Sequence, residues 1–235
     1  GGGAGAWSVA FEPGTAAVPS APSPVRFSGA VIARFLQEAR ITGQLEHPSI
    51  VPVYELGHRK DGALYYTMKL VRGKSLSKAI REAGSLRERL MLLPHFIDLC
   101  NAIAYAHSRH VVHRDIKPAN VMVGEFGETV VLDWGLAKAR RGHDAHADVI
   151  EKSIMSMNLG SGAHSAKTNY GQLIGTPAYM PPEQALGHTD EIDERSDIYS
   201  LGVVLYEILT GRLPFKAKTI KELISSVIYE EPTSI

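Results

Sequence analysis

The sequence predicts an α+β fold in which a small β-containing lobe precedes a larger helical lobe. Two short runs rich in β-branched and aromatic residues, Ile50–Leu56 and Ala63–Val71, come early in the chain, and helical patterns dominate after Gly73. Apolar residues make up 44% and charged residues 21% of the 235 residues. These are ordinary globular values, so they exclude whole-chain disorder and a fibrous protein.

The composition also excludes several classes of function. Lys+Arg and Asp+Glu number 25 each, so the chain lacks the basic excess typical of a nucleic-acid binder. The single Cys100 excludes an internal disulfide and a cysteine-based zinc cluster, and it fits a reducing, cytoplasmic location. No apolar stretch reaches the roughly 18 residues of a membrane span, so we expect none within this chain. A membrane anchor in a segment outside the chain stays open.

Residues 1–29 differ in composition from the rest of the chain. Gly, Ala, Pro and Ser account for 18 of the first 24 residues, and the first lysine is Lys60. Such a segment offers few side chains to a core and predicts a linker. From Ala30 the apolar residues recur at helical spacing until His47-Pro48, where the proline ends the helix. A hairpin follows, in which Gly57–Gly62 joins the two β-type runs.

The later elements are mostly helical. A short helix is expected at Ser75–Ala83 with Ser75 as its N-cap, and one long apolar helix at Leu86–Ser108. Lys138–Gln172 is long, aperiodic and rich in Gly and Ser, which is typical of a functional or mobile segment. Two further β-type runs precede this segment and two helices close the chain, at Val111–Val123, Thr129–Leu132, Arg195–Thr210 and Thr219–Tyr229.

The most informative stretch is His113-Arg114-Asp115-Ile116-Lys117-Pro118-Ala119-Asn120, a polar cluster in an apolar run. Asp115 can accept a hydroxyl proton, and Lys117 can neutralise phosphate charge. Asn120 can offer its amide oxygen to a hard cation such as magnesium. A second stretch, Val130-Val131-Leu132-Asp133-Trp134-Gly135, presents the Asp133 carboxylate at the end of an apolar strand.

Together with Gly175-Thr176-Pro177-Ala178-Tyr179-Met180-Pro181-Pro182-Glu183, these stretches resemble the eukaryotic-like serine/threonine protein kinases of bacteria. The family signatures are His-Arg-Asp followed by Asn, Asp-Phe-Gly, and Ala-Pro-Glu. The resemblance covers roughly residues 30–230 and implies a two-lobed protein-kinase-like fold. Residues 30–71 would form a partial N-lobe, and residues 72–235 a C-lobe truncated after the family's helix αG. Residues 1–29 would be a linker or the remnant of a Gly-rich loop.

The resemblance also implies roles at the nucleotide site. Asp115 resembles the catalytic base, and Lys117 the lysine that contacts the transferred phosphoryl group. Asn120 and Asp133 resemble the ligands of Mg²⁺ on bound ATP. Glu38 resembles the glutamate of the family's helix αC, and Met68 resembles the gatekeeper. The backbone of Lys69 and Val71 would then contact adenine.

Other residues resemble the substrate-binding and supporting positions of the family. Thr176 resembles the threonine before the substrate-binding loop, and Glu183 the glutamate that ends the activation segment. Arg114 is placed to pair with a phosphate on that segment. Asp197 resembles the buried helix aspartate that braces the catalytic loop.

The expected function is ATP- and Mg²⁺-dependent phosphorylation of Ser or Thr in a protein substrate. One departure from the family supports an alternative. No lysine precedes Glu38, although the family uses one there to hold the α- and β-phosphates, and Arg26 is a weak substitute. The alternative is a pseudokinase that serves as a nucleotide-binding or scaffolding module. Trp134 replaces the family's Phe, and its indole N–H needs a partner when buried.

Overall fold

The computed structural model describes residues 29–59, 64–134, 136–139 and 177–235. Three elements precede the helical part, namely helix α1 and strands β1 and β2. Strands β3 to β7 are short, and helices α2 to α7 supply most of the remaining structure. The bounds are α1 Gly29–Gly43, β1 Val53–His58, β2 Leu64–Met68, β3 Lys74–Ser75, α2 Leu76–Glu82, α3 Leu86–Leu90, α4 Leu93–Ser108, β4 Val111–Val112, β5 Val121–Val123, β6 Thr129–Val131, β7 Lys138–Ala139, α5 Pro182–Ala185, α6 Glu194–Thr210 and α7 Ile220–Tyr229, with 3-10 helices at Pro118–Asn120 and Pro177–Tyr179.

The predicted early hairpin is present. Strands β1 and β2 pair antiparallel, with Val53 opposite Met68 and His58 opposite Leu64. The helix before it ends earlier than predicted, at Gly43 rather than at His47-Pro48. Gly43 is a poor helix former, and the chain tightens there into turns of the 3-10 type, with the Gln44 N–H donating to the Ile41 carbonyl.

The prediction of one helix over Leu86–Ser108 is wrong, because the structure has two helices there. Helix α3 ends at Leu90 and α4 begins at Leu93, with Pro94 in its first turn. Proline has no N–H to donate to the carbonyl four residues earlier, so a continuous helix would lose a hydrogen bond at that position. Pro94 fits the first turn of a new helix instead, where the N–H groups have no partner within the helix.

Three further helices begin after side chains that cap them, of which Ser75 was predicted as a cap. Ser75 caps α2 by accepting a hydrogen bond from the Lys78 N–H. Thr219 caps α7 and forms a reciprocal pair with Glu222. Helix α6 begins after Asp193 and ends at Gly211, whose φ of 69° suits glycine. Within the described ranges, no helix is long and apolar enough to cross a membrane.

The core lies between α4 and α6 and reaches the β1–β2 region through a strand contact. Leu99 and Ile103 of α4 and Val204 and Ile208 of α6 are buried in one apolar cluster. Strands β3, β5 and β6 form a sheet beside it. Ile50 bridges to β6, where Val131 donates to the Ser49 carbonyl and accepts from the Val51 N–H. This arrangement places the segment between β4 and β5 at the junction of the two parts.

Candidate active site

A buried carboxylate from α6 fixes the backbone of the catalytic loop, residues 113–120. Asp197, which is 1% exposed, accepts hydrogen bonds from the N–H groups of His113 (2.8 Å) and Arg114 (2.9 Å). Its Oδ2 also lies 2.7 Å from Nε2 of His107 on α4. These bonds hold Arg114 at a φ of 71°, in the left-handed region of the backbone that residues other than glycine rarely adopt.

Three polar side chains converge in this loop, as the sequence predicts. Lys117 Nζ lies 2.7 Å from Asp115 Oδ2, and Asn120 Nδ2 donates to both the carbonyl (3.0 Å) and Oδ2 (3.2 Å) of Asp115. The Asp115 side chain is 11% exposed and the Lys117 side chain 17% exposed. Asp115 therefore presents a carboxylate at the surface of a largely closed site, with a cation and an amide held against it.

A buried aromatic pair anchors the start of the loop in the core. The His113 and Trp134 rings lie 4.6 Å apart and both side chains are buried. The Asp115 N–H donates to His113 Nδ1, which places the ring proton on Nε2. Neither His113 Nε2 nor Trp134 Nε1 has a hydrogen-bond partner among the described residues. Packing against His113 rather than hydrogen bonding therefore retains this indole in the core.

The two candidate magnesium ligands lie on neighbouring segments. Asp133 follows β6 and has a φ of 59°, and its side chain is exposed. The Leu132 N–H beside it donates to the Asn120 carbonyl at 2.8 Å. A carboxylate and an amide oxygen are the hard oxygen donors that Mg²⁺ prefers, so the donor set fits this ion.

Glu38 on α1 is linked to Asp133 through their common effect on Tyr66. Its Oε1 accepts a hydrogen bond from the Tyr66 hydroxyl of β2 at 2.7 Å. Burial raises the pKa of Tyr66 above its ordinary value, and the hydrogen bond to Glu38 and the negative charges of Glu38 and Asp133 raise it further. Glu38, Tyr66 and Asp133 thus share one electrostatic environment.

The catalytic loop also borders a small pocket on the α6 side. Ser200 donates to the Tyr179 carbonyl, and the Tyr179 hydroxyl donates to Glu207 Oε2 at 2.6 Å. Gln184 Nε2 donates to the Arg114 carbonyl at 3.3 Å, which joins this side to the loop. The pocket is lined by Arg114, Asp115, Ile116, Tyr179, Met180, Gln184 and Ser200.

Comparisons with known proteins agree with this arrangement. The sequence profile of the family described as protein kinase domain matches residues 26–234. The chain belongs to the protein kinase family. It is 42% identical over 215 residues to the serine/threonine-protein kinase PknD of Protochlamydia amoebophila (strain UWE25), which covers 84% of this chain and 20% of the relative. It is 39% identical over 201 residues to PknD of Chlamydia trachomatis serovar D and over 203 residues to PknD of Chlamydia pneumoniae, each covering 81% of this chain and 21% of the relative.

The predicted family and the two-lobed fold are therefore confirmed for this kinase domain. The chain spans about one fifth of the length of these curated relatives. Its small antiparallel sheet and α1 correspond to the N-lobe, and the helices from α2 onward to the C-lobe.

The residues assigned to adenine lie at the end of β2 and just after it. The Met68 side chain is 41% exposed. The Lys69 N–H donates to the Pro52 carbonyl at 3.1 Å. Of the Lys69 backbone groups, the carbonyl is therefore the one left to accept a hydrogen bond from adenine. Val71 is half-buried two residues later. These positions thus lie together in the segment that joins β2 to β3.

Two predicted positions of the substrate side have different outcomes. Thr176 lies outside the described residues, as do Gly135, Arg26 and most of Lys138–Gln172. Glu183 is half-buried and accepts a hydrogen bond from the Ser196 hydroxyl of α6. Ser196 thus supplies a hydrogen-bond donor to this carboxylate.

Sequence reasoning missed Tyr66, Tyr179, Gln184 and Glu207. Each of them contacts a loop or helix more than twenty residues away. Burial raises the pKa of Glu207, although the Tyr179 hydroxyl and the nearby charge of Arg81 act in the opposite direction. A signal was available only for Tyr179, which lies inside the motif that ends at Glu183.

Proposed function

We propose that this chain is the catalytic domain of a cytoplasmic kinase that transfers the γ-phosphate of ATP to Ser or Thr hydroxyls of a protein substrate. The observation that carries the proposal is the Asp115–Lys117–Asn120 cluster, with its contacts of 2.7 to 3.2 Å. The names of the relatives, which describe serine/threonine-protein kinases, support the same reaction. The single Cys100, which leaves the chain without an internal disulfide, supports the cytoplasmic location.

The pocket beside Asp115 is the proposed place of the acceptor hydroxyl. In the reaction the hydroxyl oxygen bonds to the γ-phosphorus, the bond from that phosphorus to the bridging oxygen of ADP breaks, and the hydroxyl proton passes to Asp115. Lys117 offsets the negative charge of the moving phosphoryl group. Asn120 holds the Asp115 carboxylate in one orientation through its Nδ2 bonds.

Asn120 and Asp133 are the proposed ligands of magnesium, which neutralises phosphate charge and orients the phosphates when it is bound. The left-handed backbone at Asp133 turns the chain immediately after β6. Such a conformation in a residue other than glycine costs about 1–2 kcal/mol, and residues held in it cluster at functional sites. The function proposed for Asp133 is to present its carboxylate to a cation.

Replacing the proposed base tests the function most directly. We expect Asp115→Asn to lower turnover by about 10²- to 10⁴-fold, because the amide cannot accept the proton. Binding of an ATP analogue should remain, since Asp115 is not a proposed metal ligand. Turnover is measured with radiolabelled ATP and a generic protein substrate, and nucleotide binding by calorimetry.

Two further variants complete this experiment. Asp133→Ala should lose magnesium-dependent binding of the analogue, which separates the metal role from the base role. Asp190→Asn, an exposed aspartate outside the site, is the matched control and should keep wild-type turnover. Wild-type turnover in folded Asp115→Asn protein would refute the assignment.

A further inference from the structure

Tyr66 makes two separate contacts with α1. Its hydroxyl donates to Glu38 Oε1 at 2.7 Å. Its ring packs against Phe35, one turn earlier on the same helix, with ring centroids 4.9 Å apart and planes tilted by 42°. The ring and the hydroxyl therefore hold α1 against β2 at two points, one apolar and one polar.

The hydroxyl of Tyr66 is fixed as a donor in this position. Burial is the largest cause that raises its pKa, followed by the hydrogen bond to Glu38 and by the charges of Glu38 and Asp133. All of these causes keep the proton on the phenol oxygen, because a phenolate there would face two carboxylates. An O–H group that bonds to a carboxylate makes a stronger hydrogen bond than one between neutral groups.

The Glu38 carboxylate is held by Tyr66, and the charge of Asp133, a proposed metal ligand, also acts on the Tyr66 hydroxyl. A long glutamate side chain has many rotamers, and fixing one of them removes an entropic cost from the reacting complex. A short hydrogen bond from a rigid tyrosine is suited to that task.

We propose that Tyr66 is a positioning residue of this kinase, which holds the Glu38 carboxylate and α1 in the arrangement required for phosphoryl transfer. The inference rests on the proposed function, since it assigns Tyr66 a role in the same reaction. Tyr66 acts through Glu38 and makes no contact with the reacting atoms. The donor comes from β2, a strand of the same lobe as α1.

The neighbouring tyrosine provides an internal control. Tyr65 also lies on β2 and also donates to a glutamate, with its hydroxyl 3.2 Å from Glu55 Oε1. Successive residues of a strand point to opposite faces, and the Tyr65–Glu55 pair is exposed. Tyr65→Phe therefore removes the same chemical contact without touching α1.

The test compares Tyr66→Phe with Tyr65→Phe in the full chain. Tyr66→Phe keeps the ring contact with Phe35 and removes only the donor. We expect its kcat to fall about tenfold or more, the effect of losing one hydrogen bond to a charged group, with a smaller change in KM for ATP. Tyr65→Phe should stay within about twofold of wild type. Equal values for the two variants would overturn the proposal.

A double-mutant cycle separates positioning from a structural role. If Tyr66 acts through Glu38, adding Tyr66→Phe to Glu38→Ala should change kcat by less than about twofold. If the fold-decrease in kcat of the double variant equals the product of the two single fold-decreases, Tyr66 does not act through Glu38 and the inference is overturned.

Hydrogen exchange of α1 distinguishes failure of this inference from failure of the proposed function. Absence of turnover in wild type would refute the proposed function alone. Faster exchange of α1 in Tyr66→Phe than in Tyr65→Phe would still support the conclusion that the Tyr66 hydroxyl holds α1 against β2. Equal exchange rates of α1 in the two variants would refute that conclusion.

Discussion

Asp197 is the residue on which the shape of the catalytic loop depends most directly, because its oxygens accept N–H groups from His113 and Arg114 and contact His107. Arg114 has a left-handed backbone, which costs about 1–2 kcal/mol in a residue other than glycine. The charge-assisted hydrogen bonds that the Asp197 carboxylate accepts from these N–H groups offset that cost. One aspartate thus stabilises the strained conformation from which Asp115 is presented.

We expect Asp197→Asn to lower the free energy of unfolding by about 3 kcal/mol, because the amide removes the charge and turns an N–H donor toward groups that are themselves donors. Turnover should fall as well, since the loop would lose its left-handed turn at Arg114. Urea unfolding and the kinase assay measure the two effects. An unfolding free energy within 0.5 kcal/mol of that of the exposed-site control Asp190→Asn would contradict this, since surface changes usually stay within about that range.

Residues of the site were predictable where the chemistry is contiguous in the sequence. Asp115, Lys117 and Asn120 lie within six positions, and the structure brings their side chains together. Tyr66 was not predictable, because nothing near it in the sequence indicates that its hydroxyl meets a helix 28 positions earlier. Hydrogen bonds between distant elements depend on packing, which local patterns do not encode.

Elements were predictable in type and less so in their ends. The capping side chain of α2, Ser75, was identified because an N-cap bond is local. The break between α3 and α4 was missed, although Pro94 is visible in the sequence, because the apolar pattern continues across it. An apolar period of 3.6 residues indicates which face of a helix is buried. It does not indicate whether the segment is one continuous helix or two successive helices.

The contact between α6 and the second 3-10 helix predicts a pH dependence. Burial raises the pKa of Glu207, so the folded state binds its proton more tightly than the unfolded state does. The stabilisation is therefore fully present below the unfolded pKa and is lost as the pH rises through the folded pKa. Glu207→Gln removes this loss and keeps an acceptor for the Tyr179 hydroxyl.

We expect the stability of Glu207→Gln relative to wild type to be more favourable at pH 7 than at pH 4, by about 1.4 kcal/mol for each unit of pKa difference between the folded and unfolded states. Urea unfolding at several pH values measures this. Glu230→Gln, at an exposed position at the end of α7, is the matched control. A pH-independent difference for Glu207→Gln would show that its burial has no electrostatic consequence.

At the scale of the whole molecule the two lobes contribute unequally to the core. The apolar cluster draws many of its members from α4 and α6, whereas Ile41, Leu45 and Ile50 are its only members among the described residues before Leu76. Most residues of β1 are exposed, and β1 pairs with β2 alone within the described part of the chain. A two-stranded sheet and one 15-residue helix are marginal by themselves. Within the described part of the chain, Ser49–Val51 attach these elements to β6.

The exposure of β1 predicts that the β1–β2 hairpin opens while α4 and α6 stay folded. Hydrogen exchange of the full chain, followed by mass spectrometry, should show that peptides from Val53–Met68 exchange through an opening of lower free energy than peptides from α4 and α6. In mild urea the hairpin should lose protection first, because its exposed strands have little apolar surface to keep buried. Ile50→Ala should accelerate hairpin exchange and leave α6 almost unchanged, since Ile50 is 2% exposed and bridges to Val131 of β6. Exposed Leu86→Ala serves as the comparison at a site remote from that bridge. Protection of the hairpin equal to that of α6, with a common response to urea, would mean that both lobes unfold as one cooperative unit.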